Sequence, residues 1–262
     1  MKSVYHSWIA FVDILGFGQF CEKNPPEELG RLLDQTLFKV PGEIREVMTS
    51  IDGAFSKKTF DAVLCPRHMV ISDSILFFQT PLLDDEEAVR SAKLAIFCLY
   101  VAQFANLMMA AGLPVRGSIS HGSFFLGPGI AAGTPIIDAY KEGNDLQFAG
   151  ITFAASCEAT LLANDKNRKP EETDLLRLKG IPIARKSDVP CASGTRSRFL
   201  LFTYDANDYQ DCHGHFAYPA FKGDENLCRS LFDSFAAYNK GCDDSVLLKL
   251  ENTARLIALM EA

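Results

Sequence analysis

Two aspartates stand where this chain could do chemistry. Asp13 ends the apolar run Trp8-Ile9-Ala10-Phe11-Val12, and Gly16 and Gly18 follow it closely. Asp73 lies between Ser72 and Ser74, with Met69-Val70-Ile71 before and Ile75-Leu76-Phe77-Phe78 after. The first pattern reads as a buried strand running into a glycine-rich turn, the second as a hairpin with Asp73 at its tip. A strand end and a hairpin tip can sit side by side in a sheet. Two carboxylates meeting there would form an oxygen-rich site for Mg²⁺ or Mn²⁺, which bind one or two carboxylates together with phosphate oxygens. Taken singly, each aspartate is as readily a turn residue bonded to its own backbone. Other motifs are weaker. Cys212-His213-Gly214-His215 is one tight cluster without the second ligand pair that a structural zinc needs. No GxxxxGK[ST] loop is present, and the Gly16/Gly18 pair lacks the third glycine and downstream acid of a dinucleotide fingerprint.

The elements that must position these residues follow from periodicity and punctuation. Asn24-Pro25-Pro26-Glu27-Glu28 opens a helix, continued by Leu29, Leu32, Leu33, Leu37 and Val40 at helical spacing. Asp84-Asp85-Glu86-Glu87 opens a long second helix that stops at Gly112, its acids placed where the helix dipole favours them. A strand is expected from Val115 to Ile119, then a Gly127-Pro128-Gly129 loop, a helix from about Thr134 to Leu146, and a strand over Gly150–Ala154. Asn164 to Thr173 reads as a polar surface loop, Arg198–Tyr204 as a last strand, and about 224–239 and 243–261 as closing helices. The hairpin interrupts a pure βαβ rhythm, so the predicted class is α+β with an antiparallel-rich sheet. One domain is expected over 1–262, with a core of about 8–205 and a helical C-terminal extension of about 206–262.

Phe11-Val12-Asp13-Ile14-Leu15-Gly16-Phe17 resembles the F-x-D-I-x-G-F motif that opens class III nucleotidyl cyclase domains. Ile71-Ser72-Asp73-Ser74 is similar to that family's second metal-binding hairpin, with serine in place of the usual glycine. Leu113-Pro114-Val115-Arg116-Gly117-Ser118-Ile119-Ser120-His121-Gly122 looks like its R-x-G-I-H-x-G strand. The resemblance covers about residues 8 to 155, in the family's order. It implies a class III cyclase-like, ferredoxin-like sheet with packed helices. It also implies two Mn²⁺ or Mg²⁺ ions held by Asp13, the carbonyl of Ile14 and Asp73, and Arg116 contacting the triphosphate. A guanidinium fork suits phosphate oxygens. The family places an asparagine and an arginine on the later helix; here those places hold Ile137 and Lys141, so Lys141 inherits a catalytic charge without the fork. The family's adenine-reading lysine and aspartate correspond to Met69 and Ile130, which cannot hydrogen-bond a purine.

Within the family, the S-D-S hairpin, the L-P-V-R-G-x-I strand and Ala139-Tyr140 are most like the pyrimidine cyclases of bacterial Pycsar antiphage systems. That resemblance implies a pyrimidine nucleoside triphosphate, UTP favoured over CTP, closed to the 3′,5′-cyclic monophosphate as a second messenger of antiviral defence. Phe11, Phe17 and Tyr140 are the substrate-side candidates, with core aromatics as the plainer reading of Phe11 and Tyr140. A homodimer with sites at the interface is implied as well. The alternatives are a degenerate cyclase fold that binds without turnover and a conventional adenylate or guanylate cyclase.

Composition sets outer limits. The chain has 262 residues, 48% of them hydrophobic, ordinary for a globular protein. A net charge of −7 weighs against nucleic acid as a partner. No apolar run reaches the roughly 18 residues of a membrane span, and no signal peptide is recognised. The eight cysteines are scattered without CxxC pairs and read as reduced. A cytoplasmic protein with no membrane partner is expected.

Overall fold

The computed structural model describes residues 3–50, 65–79, 87–164, 175–178, 181–201 and 244–261. Its centre is β1, Ser3–Ile14, longer at both ends than its apolar run predicts. It is a central strand, so both of its edges are saturated. It pairs antiparallel with β3 (Ser74–Phe78) on one side and with β4 (Val115–Gly127) on the other. β2 (Arg67–Ile71) adds to the outer edge of β3, giving the order β2-β3-β1-β4. That order, with helical crossovers between β1 and β2 and between β3 and β4, is the split βαβ arrangement expected of a ferredoxin-like α+β core. Beyond β4 the sheet continues through β6 (Gly150–Phe153), β9 (Gly194–Leu201), β8 (Ile181–Cys191) and β7 (Leu175–Leu178), with β5 (Ile130–Ala132) folded back on β4. Among the described residues only β4 and β6 run parallel.

The two faces of the sheet are covered differently. Trp8, Ala10, Val12 and Ile14 of β1 alternate onto one face with Ile75, Phe77, Ile119, Ile151 and Phe153. The long helix α4, Glu87–Ala110, supplies Phe97, Val101, Phe104 and Met108 to the same core, all fully buried. The Tyr100 hydroxyl donates to the carbonyl of Pro41, tying α4 to α3 (Val40–Ser50). On the opposite face Ile9, Leu76, Phe78 and Phe124 form a smaller cluster. There α5, Thr134–Asp145, crosses β4 and β1. Gly143 brings it so close that a Cβ there would stand 3.0 Å from the Gly117 Cα.

Several local expectations need correction. The turn expected at Gly16 and Gly18 is one left-handed residue, Gly16 (φ 73°), that starts helix α1, Phe17–Lys23. The helix predicted from Pro26 breaks into α2 (Pro26–Leu33), a π-helical turn at Asp34–Phe38, and α3. The strand predicted to end near Ile119 continues to Gly127, because β1 pairs with it from Ser3 to Ile14. Helix α6, Ala155–Asn164, and strands β7 and β8 were not expected. The start of α4 at Asp84–Glu86, the polar loop after Asn164, the end of the strand at Phe202–Tyr204 and the helix over 224–239 lie outside the described residues. So does the Cys212–His215 cluster.

The closing helix is α7, Asp244–Glu261. It covers the 146–149 connection between α5 and β6. The Ala149 N–H donates to Thr253 Oγ1 at 2.8 Å, Asn252 Nδ2 donates to the Gln147 carbonyl at 2.8 Å, and Leu256 joins Leu146, Phe148 and Leu200. Among the described residues no helix is long and apolar enough to cross a membrane.

Candidate active site

Three neighbouring strands each place one polar residue on the same rung. Ser74 of β3 and Arg116 of β4 are the direct partners of Asp13 on either side of β1. Directly opposed residues in antiparallel strands point to the same face, so these side chains converge. Ser74 Oγ donates to Asp13 Oδ1 at 3.0 Å, and Arg116 Nη2 lies 3.7 Å from Asp13 Oδ2.

Asp73 comes from the two-residue turn that joins β2 to β3. The pair Ile71–Ser74 closes the hairpin, and Ser72 takes the left-handed conformation (φ 58°) that so short a turn demands. A side chain there costs about 1 kcal/mol that a glycine would not. The turn is docked on β1 by the Ile14 N–H, which donates to the Asp73 carbonyl at 3.3 Å. The two carboxyl groups therefore interact. Burial raises the pKa of Asp13 from 3.8 to about 6, with further upward pressure from the Asp73 charge and a hydrogen bond to Asp73. The Ser74 hydroxyl and the Arg116 charge oppose that rise. Asp73 also lies near α1: the Cys21 thiol is pushed up by burial, then by the charges of Asp73 and Glu22. The Ile14 side chain is committed to the core, which leaves its main chain as its contribution to the site.

Arg116 is held more firmly by α5 than by Asp13. Nη1 donates to the carbonyls of Asn144 (2.9 Å) and Leu146 (3.2 Å), and Nη2 to Asn144 Oδ1 at 2.6 Å. These carbonyls end α5, where a helix leaves them without intrahelical donors and favours a cation. The Arg116 side chain is only 13% exposed, and its Nε has no partner among the described residues.

The other sequence candidates fall into two groups. Phe11 lies two residues before Asp13 on the same face, and its ring meets Tyr140 edge-on with centroids 5.4 Å apart. Tyr140 is 51% exposed, as is Ile137. Phe17, in contrast, packs against the core and stacks on Phe20 at 6.2 Å. Lys141 is exposed and lines a cleft of about 450 Å³ with Asp138, Glu142, Asp145, Ser156 and Arg196; Asp13, Asp73 and Arg116 do not line it. Within one chain, Lys141 thus lines a cleft to which the aspartate pair does not contribute.

Sequence reasoning missed Asn144, because nothing in its local sequence marks it as a partner of Arg116, 28 residues away. It also missed the ion pairs that fix α5 to the β8–β9 hairpin: Arg198 Nε to Glu142 Oε1 at 2.6 Å, and Arg196 Nη1 to Asp145 Oδ2 at 3.3 Å. No pattern in the chain brings residues 142 and 198 together.

No family model and no curated protein sequence matches the chain. Among solved structures it is similar to the catalytic core of a rhodopsin-guanylyl cyclase with converted specificity in complex with ATPalphaS. That match has 15% identity and a TM-score of 0.44, covering 76% of this chain and 97% of that one. It is also similar to the adenylyl cyclase CyaB from P. aeruginosa, at 14% identity and TM-score 0.44, covering 79% and 98% respectively. A bacterial light-regulated adenylyl cyclase gives 12% identity and TM-score 0.44, covering 87% and 99%.

Proposed function

We propose that this protein is a metal-dependent nucleotidyl cyclase, closing a nucleoside triphosphate to its 3′,5′-cyclic monophosphate with release of pyrophosphate. The observation that carries the reading is the meeting of Asp13 and Asp73 beside Arg116, where burial and then the Asp73 charge raise the proton affinity of Asp13. A pair so placed calls for a cation. The donors are all hard oxygens, and among the described residues no third His, Cys, Asp or Glu completes a protein cage. Two carboxylates with the remaining positions left to water and phosphate oxygens suit Mg²⁺ or Mn²⁺. Asp13, Asp73 and the Ile14 carbonyl would hold up to two ions. Bound there, they supply Lewis-acid activation of the ribose 3′-hydroxyl and charge neutralisation on the leaving pyrophosphate.

The chain's own residues do the rest. Ser74 fixes the orientation of the Asp13 carboxylate by its hydrogen bond. Arg116, held by the end of α5, places a positive charge beside Asp13 at the inner wall of the site, where it would offset phosphate charge. Phe11 and Tyr140 present an aromatic edge beside the carboxylates for the nucleoside, where a ring face is worth about 1–3 kcal/mol per stacked base. Phe17 supports α1 from the core. Lys141, which one chain does not bring to its own aspartates, is supplied by a second protomer. The exposed Ile137, Tyr140 and Ile130 on that side provide apolar surface for a homodimer.

The substrate we favour is a pyrimidine triphosphate, UTP before CTP, with the cyclic product serving as a messenger in antiphage defence. In support, Met69 packs within the apolar cluster of Phe78 and Phe124, and Ile130 is exposed on β5; neither offers a hydrogen bond to a purine edge. Ile137 and Lys141 in place of the family's asparagine and arginine favour a second reading, a cyclase fold that binds nucleotide without turning it over.

The test is incubation of the purified protein with ATP, GTP, CTP and UTP in Mn²⁺, with products identified by mass spectrometry. Cyclic UMP or CMP, lost in Asp13→Asn and Asp73→Asn, is the expected result. A cyclic purine would overturn the base preference and keep the chemistry. No product from any of the four, with nucleotide still bound, would establish the second reading.

A further inference from the structure

The guanidinium of Arg116 has four Nη hydrogens, and three have acceptors. Two point to the Asn144 and Leu146 carbonyls and one to Asn144 Oδ1. The fourth lies toward Asp13 Oδ2, at 3.7 Å, beyond hydrogen-bond distance. An arginine beside a half-buried carboxylate ordinarily closes to a contact of about 2.7–2.9 Å. Here it does not, and the geometry supplies the reason: the short bond to Asn144 draws Nη2 the other way.

We propose that Asn144 is a positioning residue that holds the Arg116 guanidinium off Asp13 and so keeps the carboxylate open to a divalent cation. This rests on the metal-dependent reading above. Without the Asn144 amide, Nη2 has both hydrogens free, and Asp13 Oδ2 becomes the acceptor within reach. Arg116 then closes on Asp13 as an internal counter-ion, and an incoming metal must displace it. Two unit charges drawn from 3.7 Å to hydrogen-bond contact, at an effective dielectric constant of about 20, change an equilibrium constant about tenfold. The amide does its work from the exposed end of α5, so its removal need not disturb the core.

The experiment is Mn²⁺ binding to the full chain without nucleotide, read at pH 8 from the loss of the free-ion signal in electron paramagnetic resonance. Asn144→Ala and Asn144→Ser, which leave Nη2 without its acceptor, are expected to bind Mn²⁺ about tenfold more weakly than the wild type. Asn144→Asp, which keeps an oxygen in place, is expected to bind at least as tightly as the wild type. In an Arg116→Gln background, adding Asn144→Ala is expected to change nothing, because the competing cation is gone. Unchanged affinity in Asn144→Ala and Asn144→Ser would overturn the proposal while leaving the metal site standing. So would an equal loss in the Arg116→Gln background, which would make Asn144 merely structural. A wild type that does not bind Mn²⁺ would overturn the metal-dependent reading itself.

Discussion

If Asp13 is kept ionised for a metal, the fold without metal should be strained by it, and Asp13→Asn should be more stable than the wild type. The sign follows from the direction of the shift. The folded-state pKa lies above the unfolded one, so the group favours the fold while protonated, below about pH 3.8, and that contribution is lost as pH rises through about 6. Raising the pKa from 3.8 to about 6 corresponds to about 3 kcal/mol at neutral pH. Solvent reaching the 27% exposed side chain reduces this to about 1.5–2 kcal/mol. The asparagine gives up little in return. Its oxygen can still accept from Ser74, its amide can donate to Asp73, and Arg116 keeps its three bonds to α5. At about 2–4 °C per kcal/mol for a chain of this size, Asp13→Asn should melt roughly 3–8 °C above the wild type in EDTA at pH 7.5. The gap should close as the pH approaches 4. Saturating Mn²⁺ should reverse the order, since ion at 100 times its dissociation constant stabilises a protein that binds it by about 2.7 kcal/mol. Differential scanning fluorimetry over pH 4–8, with and without Mn²⁺, reads all of this. An Asp13→Asn protein that melts at or below the wild type in EDTA at pH 7.5 would refute the claim that the ionised Asp13 carboxylate strains the fold.

Other perturbations test the surroundings of the site. A Cβ at Gly117 would stand 2.4 Å from the Phe11 carbonyl oxygen, so Gly117→Ala should destabilise by about 2–3 kcal/mol. Gly18, inside α1 with nothing within 4 Å, should tolerate alanine with a gain of about 0.5–1 kcal/mol; urea denaturation compares the two. The hydroxyl of Thr152 is fully buried without a partner among the described residues, so Thr152→Val should leave the melting temperature unchanged or raise it. At the far end of β1, the His121 ring packs 4.1 Å from Trp8 and 4.7 Å from His6. Burial, then the His6 charge, lowers its pKa from 6.5 to about 4. A depressed histidine stabilises the fold above pH 6.5 and loses that contribution as pH falls toward 4. The stability of the wild type relative to His121→Phe should therefore fall by about 1–2 kcal/mol across that window. A difference that does not vary with pH would remove His121 from the account.

The fold was legible in the chain wherever a local pattern matched a local cause. The apolar run before Asp13, the Pro-rich helix start at Pro26 and the hairpin around Ser72-Asp73 are each written in a few consecutive residues. What escaped was set by partners distant in sequence. β1 reaches back to Ser3 because β4 offers it pairing as far as Leu126, not because Ser3-Val4-Tyr5-His6 announces a strand. The π-helical turn at Asp34–Phe38 lies inside a run whose leucine spacing is helical throughout. β8 carries Pro182 and Pro190, residues that argue against a central strand, yet it pairs with β9 from Ala184 to Cys191.

The site divides along the same line. The meeting of Asp13 and Asp73 was legible because strand ends and hairpin tips are the places where a sheet gathers side chains from remote segments. Their neighbours were legible only as types. In the sequence Arg116 is a candidate triphosphate contact by resemblance alone, and its bonds to the end of α5 depend on how closely that helix approaches β4. The approach is made by two glycines: Gly143 on the helix and Gly117 on the strand, one residue from Arg116. In the sequence they are a glycine inside a helical pattern, which weakens it, and one beside an arginine in a strand. In the fold they are the contact that brings the Asn144 amide and the last carbonyls of α5 within reach of the guanidinium. A bulkier pair would move the helix end outward and leave Arg116 with Asp13 as its main partner. The availability of the carboxylate is thus decided by backbone clearance at a position that carries no functional group.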